Sequence, residues 1–351
     1  MFNLITVCVK SILKIQNRYA ITNVYWLMKK HFLSLLFFNC AVLFVSAQVA
    51  DQDSLIRKRE FANKAFTILY KENADLAYTS PGGEIGAPTK YVINGRLTTT
   101  YMLLGSYKSP VAVSINPDFT VRVRNEFSAG VRTPSYRLGF SGYARLNDNP
   151  EHYKYAELAF AHHSNGQDVS ARNEDGSINT RTGNFNANYL TLSYRFGNFT
   201  PIRADESYYS LNHRVGLLWH KWFRYEPVLD DGFGFTRLLY NFSLRRYDEI
   251  EKKSKIKGNR KEEKETWRLN AEFSYAINKI PEKNIGNIQK RLNAEIAFNY
   301  SFPFMNNVFL MAAAGYYGED NYNIYFKDHY GYLRFGVSSG FLRNRHRHYD
   351  N

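Results

Sequence analysis

The sequence is poor in cysteine, and it lacks a long apolar run after its first 47 residues. Its two cysteines, Cys8 and Cys40, both lie in that first stretch, which we expect to be removed from the mature protein. A mature chain without cysteine forms no disulfide, uses no catalytic thiolate and has no Cys-x-x-Cys metal site. Because no apolar stretch of about 18 residues follows, the sequence predicts no membrane-spanning helix there.

The apolar segment near the start has the layout of a secretory signal peptide. The pair Lys29-Lys30 precedes an apolar run at 32–45, and the small residues Val45-Ser46-Ala47 follow, as at a signal-peptidase site. This run is shorter than the roughly 20 residues that a spanning helix needs. Because Met28 opens the signal directly, we expect translation to start there and residues 1–47 to be a presequence. A longer N-terminal leader is the alternative.

The chain is basic, with 46 lysines and arginines against 32 aspartates and glutamates. Part of the basic charge is local, in a mixed-charge stretch at 251–265 and in a basic tail at 342–351. A basic balance can indicate binding to nucleic acid or to an anionic membrane surface. Together with an export signal it favours anionic lipid or lipopolysaccharide, and we expect no nucleic-acid partner.

Aromatic residues are abundant, with 27 tyrosines and 26 phenylalanines, although the mean hydropathy of the chain is negative. After Tyr70 the sequence shows segments of roughly 10–15 residues that alternate in polarity and are separated by turn residues. Aromatic girdles and a polar lumen are typical of membrane barrels. We therefore predict an all-β fold, a 12-stranded antiparallel transmembrane β-barrel of the bacterial outer membrane, over residues 66–341. A periplasmic segment at 48–65 precedes it, with a short helix at 51–65.

The expected strands are numerous enough to close a barrel. They lie at 66–79, 90–104, 111–127, 134–146, 152–163, 185–196, 208–220, 234–247, 266–277, 289–302, 307–317 and 330–341. Four aromatic residues near the end of the seventh of these strands are expected to form part of an interfacial girdle: Trp219, Trp222, Phe223 and Tyr225.

The strand at 152–163 ends in polar residues that continue an apolar row. Side chains alternate between the two faces of a strand, so His162 and Ser164 follow the outward-facing row that includes Leu158 and Phe160. On the other face, His163 is expected to point into the lumen and to be structural. A lumen charge network is expected to include Glu157 and Arg195. The returning strand places Asn186 on the same outward face as His162 and Ser164.

This arrangement suggests nucleophilic catalysis. A serine hydroxyl is a poor nucleophile until an adjacent base takes its proton, and His162 can supply that base to Ser164. A third group must hold the other imidazole nitrogen, which Asn186 can do as a neutral acceptor. Backbone N–H groups of Ser164 and Gly166 can stabilise an oxyanion. The pattern predicts acyl transfer from an ester to water.

The motif His162-His163-Ser164-Asn165-Gly166 resembles the His-x-Ser-Asn-Gly motif of outer-membrane phospholipase A. In that family the third catalytic residue is an asparagine that follows an aromatic residue at the start of the next strand, as Asn186 does here. The family has a twelve-stranded barrel, and a patchy likeness extends to 66–80 and to 315–336. The resemblance implies hydrolysis of phospholipid acyl esters in the outer leaflet, with Ser164 as nucleophile, His162 as base and Asn186 as its orienter.

The resemblance also implies a cofactor and a partner. Members of the family need calcium and are activated by homodimerisation, which completes the substrate groove and the metal site. In this sequence the candidate calcium ligands are Gln167, through its backbone oxygen, and Asp168.

Two other functions are compatible with the sequence. A lipid A deacylase also uses a His-x-Ser-Asn pattern on the lipid face of a barrel, but with an acid as third member, for which Glu174 and Asp175 lie at a possible spacing. A non-enzymatic porin-like or structural barrel is the third hypothesis. A twelve-stranded lumen filled with charged and tyrosine side chains would conduct poorly.

Overall fold

A computed structural model describes residues 52–106, 108–126, 134–149, 151–198, 207–254, 258–305, 308–322 and 325–340. The predicted presequence at 1–47 and the basic tail at 342–351 lie outside these residues. The described residues from Ile56 onward belong to one compact unit. No helix among the described residues is both long and apolar enough to cross a membrane.

One antiparallel sheet contains the thirteen strands of the described residues. A helix, α1 (Gln52–Glu72), precedes them, and a one-turn 3-10 helix (Pro227–Asp231) and a short helix α2 (Ile288–Arg291) lie in the connections. The strands are β1 (Ala77–Pro81), β2 (Tyr91–Thr98), β3 (Tyr101–Gly105), β4 (Val111–Arg124), β5 (Ser135–Arg145), β6 (Lys154–Ser164), β7 (Asn186–Gly197), β8 (Tyr208–Trp219), β9 (Thr236–Ser254), β10 (Gly258–Ala276), β11 (Leu292–Tyr300), β12 (Val308–Tyr317) and β13 (Tyr330–Ser339).

The sheet closes into a barrel because its first strand pairs with its last. Strand β1 pairs with β13, with Thr79 opposite Val337, and with β2 on its other side. Strands β2 and β3 both pair with β4, where β2 takes one half of that strand and β3 takes the other. Together they therefore take the place of one strand of the barrel, with a break at residues 99–100, where the sequence predicted a single strand at 90–104. The predicted twelve-stranded antiparallel β-barrel is confirmed, with one extra strand from this break.

The sequence prediction was wrong at the start of the barrel. It began the first strand at residue 66, but helix α1 continues to Glu72 and β1 begins at Ala77. Phe66, Leu69 and Tyr70 have the i, i+3, i+4 spacing of one helix face. All three are buried in a cluster with the inward-facing Tyr143 and Tyr155. The C-terminal half of helix α1 therefore packs into the barrel at the end opposite Ser164, whereas Ile56 and Phe61 remain exposed.

Charged contacts fill the lumen next to this helix. Glu157 accepts a hydrogen bond from Arg195 at 2.9 Å and lies 3.5 Å from Arg214, so the predicted lumen network is confirmed. The side-chain oxygen of Asn73, just after the helix, accepts from Arg245 at 3.2 Å. The Asn73 backbone carbonyl accepts from Arg195 at 3.4 Å. Cations at the C-terminal end of a helix also interact favourably with its dipole.

A second buried network lies nearer the other end of the lumen. Arg122 contacts Asp320 at 2.7 Å and Glu84 at 3.2 Å, and Arg334 also contacts Glu84 at 3.2 Å. The Tyr330 hydroxyl donates to Asp320 at 2.7 Å. Lumen cavities near the two networks have volumes of about 60, 240 and 90 Å³. The lumen is thus divided by side chains and by helix α1.

The outward face of the barrel carries the large apolar side chains. Leu158 and Leu192, on neighbouring strands, have 52% and 56% of their surfaces exposed. Side chains one position away on the same strands, such as Glu157 and Ser193, are buried in the lumen. This inversion of the usual apolar interior is expected where lipid covers the outer surface.

Candidate active site

The pairing of β6 and β7 brings four polar side chains together on the outward face. His162 lies directly opposite Asn188, and Ser164 lies directly opposite Asn186. In the two preceding layers on this face, Leu158 is opposite Leu192 and Phe160 is opposite Leu190. The outward row therefore changes from apolar to polar over its last two layers, at the end of β6.

Asn188 fixes the orientation of the His162 imidazole. Its side-chain oxygen lies 2.8 Å from His162 Nδ1, and its amide nitrogen donates to the Arg224 carbonyl at 2.7 Å. A backbone carbonyl can only accept a hydrogen bond, so the amide nitrogen must face Arg224 and the amide oxygen must face His162. His162 Nδ1 is then the donor, which leaves Nε2 of the neutral imidazole without a proton and able to act as a base.

The sequence analysis gave this orienting role to Asn186, but the structure brings Asn188 to the imidazole. The Asn186 amide instead donates to Asn184 at 3.4 Å. The cause is the register, because residues directly opposite each other in an antiparallel pair are nearest neighbours. Asn188 was visible in the sequence as a polar residue on the same face. Choosing between the two asparagines required the register.

Ser164 lies one layer beyond His162 on the same face. Its hydroxyl oxygen accepts a hydrogen bond from the Gly166 backbone N–H at 3.0 Å, so the hydroxyl hydrogen remains available to a base. Gly166 has a φ of +68°, a left-handed conformation that glycine adopts without strain. This turn holds the Gly166 N–H beside the nucleophile, where it can donate to an oxyanion formed on an attacked carbonyl.

Asn165 holds the two ends of the loop that follows Ser164, a role that the sequence analysis missed. Its side chain is buried, donates to the Gly183 carbonyl at 2.8 Å and accepts from Phe185 N–H at 3.0 Å. The first residue after β6 is thereby tied to the last residues before β7. The Ser-Asn-Gly sequence was a signal for this role, because asparagine often bonds to nearby backbone in turns.

His163 faces the lumen, as the alternation predicted. It is buried, and its Nε2 lies 2.6 Å from the Ser135 hydroxyl. The two adjacent histidines therefore lie on opposite faces of the barrel wall, and His162 is the one beside Ser164.

The predicted calcium ligands do not make a complete site within one chain. The Gln167 backbone N–H donates to Asn165 at 3.4 Å, and Asp168 is exposed. In the part of the chain that the structure describes, no three His, Cys, Asp or Glu side chains lie close enough to hold a metal ion. Calcium takes six to eight oxygen ligands. Gln167 and Asp168 therefore do not fit a calcium site by themselves.

The two acids considered as a third catalytic member, Glu174 and Asp175, lie in a turn of the β6–β7 loop and not against the His162 imidazole. The Asp175 carboxylate accepts from the Ser177 hydroxyl at 2.6 Å and from the Ser177 backbone N–H at 2.9 Å. These hydrogen bonds lower the pKa of Asp175. Glu174, beside it, is exposed in the same turn. The group that contacts His162 Nδ1 is the neutral amide of Asn188.

Aromatic side chains lie on both sides of the polar group. On one side, residues 222–226 of the β8–β9 connection run along β7, where the Glu226 N–H donates to the Asn186 carbonyl at 2.9 Å. From this segment Phe223 packs edge-on against Phe160, with ring centroids 5.3 Å apart. On the other side, Tyr136 of β5 lies directly opposite Ser164.

No protein-family model matches this chain, and no curated protein matches it significantly.

Proposed function

We propose that this protein is an outer-membrane phospholipase that hydrolyses acyl ester bonds of glycerophospholipids. The observation that carries the proposal is the polar group His162, Ser164 and Asn188 at the end of an apolar outward row. A porin places its working residues in the lumen. Catalytic side chains on the outer wall act on what touches that wall, which in a membrane is lipid.

In this proposal Ser164 is the nucleophile and His162 Nε2 is the base. As the imidazole takes the hydroxyl proton, Ser164 Oγ forms a bond to the ester carbonyl carbon, and the Gly166 N–H donates to the oxygen that becomes negative. The bond to the glycerol oxygen then breaks, and His162 returns the proton to that oxygen. Water, activated by the same imidazole, releases the fatty acid from Ser164. Asn188 holds the imidazole in place throughout.

The site is proposed to lie at the outer leaflet. Helix α1 packs in the opposite end of the barrel from Ser164. In outer-membrane barrels the short turns are periplasmic and the longer loops are extracellular. The end that carries Ser164 has the long connections at residues 165–185, 220–235 and 277–291.

Calcium and a homodimer belong to the proposal through the family resemblance. Of the described residues, Gln167 and Asp168 alone are too few for calcium, so in this proposal backbone groups, water or a second copy complete the oxygen ligands. When bound there, the ion would supply positive charge for the oxyanion. No catalytic step above depends on it.

The test is fatty-acid release from phospholipid mixed micelles by the refolded barrel, with calcium or with a chelator. Ser164→Ala should lose roughly three orders of magnitude or more in rate, since loss of the nucleophile removes covalent catalysis. Ser170→Ala is the matched control, because Ser170 is an exposed serine on the following loop. Normal fatty-acid release by Ser164→Ala would contradict the proposal. Purified lipid A as a parallel substrate tests the deacylase alternative.

The porin-like alternative is tested in planar bilayers. Helix α1 and the two buried networks divide the lumen, so the wild-type barrel should conduct few ions. Stable conductance together with absent hydrolysis would favour the non-enzymatic function.

A further inference from the structure

Arg224 is an exposed cation whose backbone belongs to the candidate active site. Its carbonyl is the acceptor that fixes the Asn188 amide, at 2.7 Å. Within the residues that the structure describes, no carboxylate pairs with its guanidinium. Nearby Lys221 differs, because its ammonium lies 3.8 Å from Asp230 and 4.3 Å from the Phe235 ring centroid.

The backbone around Arg224 is held against β7 by several contacts. Tyr225, the next residue, forms an antiparallel bridge with Ala187. The Glu226 N–H donates to the Asn186 carbonyl at 2.9 Å. On the other side of Arg224, Phe223 packs on Phe160. An exposed arginine on a backbone tied to the site at consecutive positions has a defined location relative to His162 and Ser164.

We propose that the Arg224 guanidinium binds the phosphate group of the lipid substrate while its ester lies over Ser164. This inference rests on the proposed function and names the residue that selects the substrate class. In a phospholipid the acyl esters and the phosphate share one glycerol unit, so the long side chain of an arginine whose backbone bonds Asn188 can reach the phosphate of a lipid held at Ser164. Arginine suits this role, because its planar fork of N–H donors matches phosphate oxygens.

The neighbouring side chains complete an interfacial platform. Trp222 has half of its surface exposed, and Tyr136 is exposed on the opposite side of Ser164. Tryptophan and tyrosine favour the level of the lipid headgroups. Arg224 therefore lies among residues suited to the depth at which the substrate phosphate is found.

The experiment compares one variant on substrates with and without phosphate. Rates of fatty-acid release are measured on phosphatidylglycerol, phosphatidylethanolamine and diacylglycerol with the same acyl chains, in neutral detergent micelles. Arg224→Ala should lower the ratio of kcat/KM for the phospholipids to kcat/KM for diacylglycerol by roughly 10- to 100-fold, the size of one charge-assisted interaction. Arg224→Lys should recover part of that ratio, since the charge remains.

Arg181→Ala is the matched control, because Arg181 is an exposed arginine on the β6–β7 loop, and it should leave the ratio unchanged. If Arg224→Ala leaves this ratio of kcat/KM values unchanged, even with equal losses on all three lipids, the inference is overturned while the proposed hydrolysis stands. A wild-type barrel that releases no fatty acid from any of them would instead overturn the proposed function. Lipid A, whose phosphates offer the same chemistry, forms a fourth substrate. If Arg224→Ala lowers the rate on lipid A relative to diacylglycerol but not the rates on the phospholipids, Arg224 binds lipid A and the phospholipid assignment is contradicted.

Discussion

Replacing Asn188 with alanine removes the group that sets the His162 tautomer. The Asn188 amide makes two hydrogen bonds, one of 2.8 Å to His162 Nδ1 and one of 2.7 Å to the Arg224 carbonyl. Without the first, the imidazole can rotate, and a neutral ring can carry its proton on Nε2, where it cannot act as a base. His162 is exposed on the outward face, and where lipid covers that face a donor left without a partner costs about 1–3 kcal/mol. Each 1.36 kcal/mol is a tenfold change in rate, so kcat should fall roughly 10- to 100-fold.

The assay is initial fatty-acid release at saturating phospholipid, with heat-modifiable gel mobility as the check that the barrel is folded. Asn186→Ala is the control, because it makes the same chemical change one layer away, at the first residue of β7. The Asn186 amide has a 3.4 Å hydrogen bond to Asn184, and losing it should change kcat by about threefold or less. A greater loss in Asn186→Ala than in Asn188→Ala would refute the assignment and restore the role predicted from sequence.

Three further predictions concern the barrel itself. Burial lowers the pKa of His220, just after β8, to about 4. Since an unfolded histidine titrates near 6.5, roughly 3 kcal/mol of stability should be lost as the pH falls from about 6.5 to 4. Urea midpoints at pH 7 and 4.5 should therefore differ less in His220→Gln, and equal pH dependence would contradict this. Glu157→Ala leaves Arg195 and Arg214 without their carboxylate and should cost about 3–5 kcal/mol in urea unfolding, whereas a neutral result would show that water replaces it. Phe66→Ala removes a buried ring and should weaken the packing of helix α1 by about 3–5 kcal/mol. Trypsin should then cleave α1 faster, and an unchanged cleavage rate would show that polar contacts hold the helix instead.

The sequence was sufficient to predict the barrel, because each strand has an apolar face and a polar face. Alternation of this kind placed Leu158 and His162 outward and Glu157 and His163 inward, as the structure has them. The prediction failed at residues 66–72, because a buried helix face and a buried strand can have the same content of aromatic residues. Only the spacing of Phe66, Leu69 and Tyr70 separates the two.

The third member of the site could not be chosen from sequence alone. A short hairpin loop fixes the register of its strands, but β6 and β7 are joined by the long connection at 165–185. The sequence analysis therefore named Asn186, whereas the register places Asn188, on the same face of β7, opposite His162. The contact with the Arg224 carbonyl was beyond prediction for a similar reason, because it joins β7 to a distant irregular segment.

The closure of β1 on β13 has a consequence for how the chain reaches this structure. Thr79 and Val337, which face each other where the barrel closes, belong to the first and the last strand to be synthesised. The N-terminal strands therefore cannot close a barrel by themselves, and pairing between residues so far apart in the chain makes folding slow. Helix α1 is synthesised before any strand, yet the inward-facing tyrosines that it packs against, Tyr143 and Tyr155, lie on β5 and β6. The helix can therefore dock in the lumen only after strands that follow it in the chain have been made.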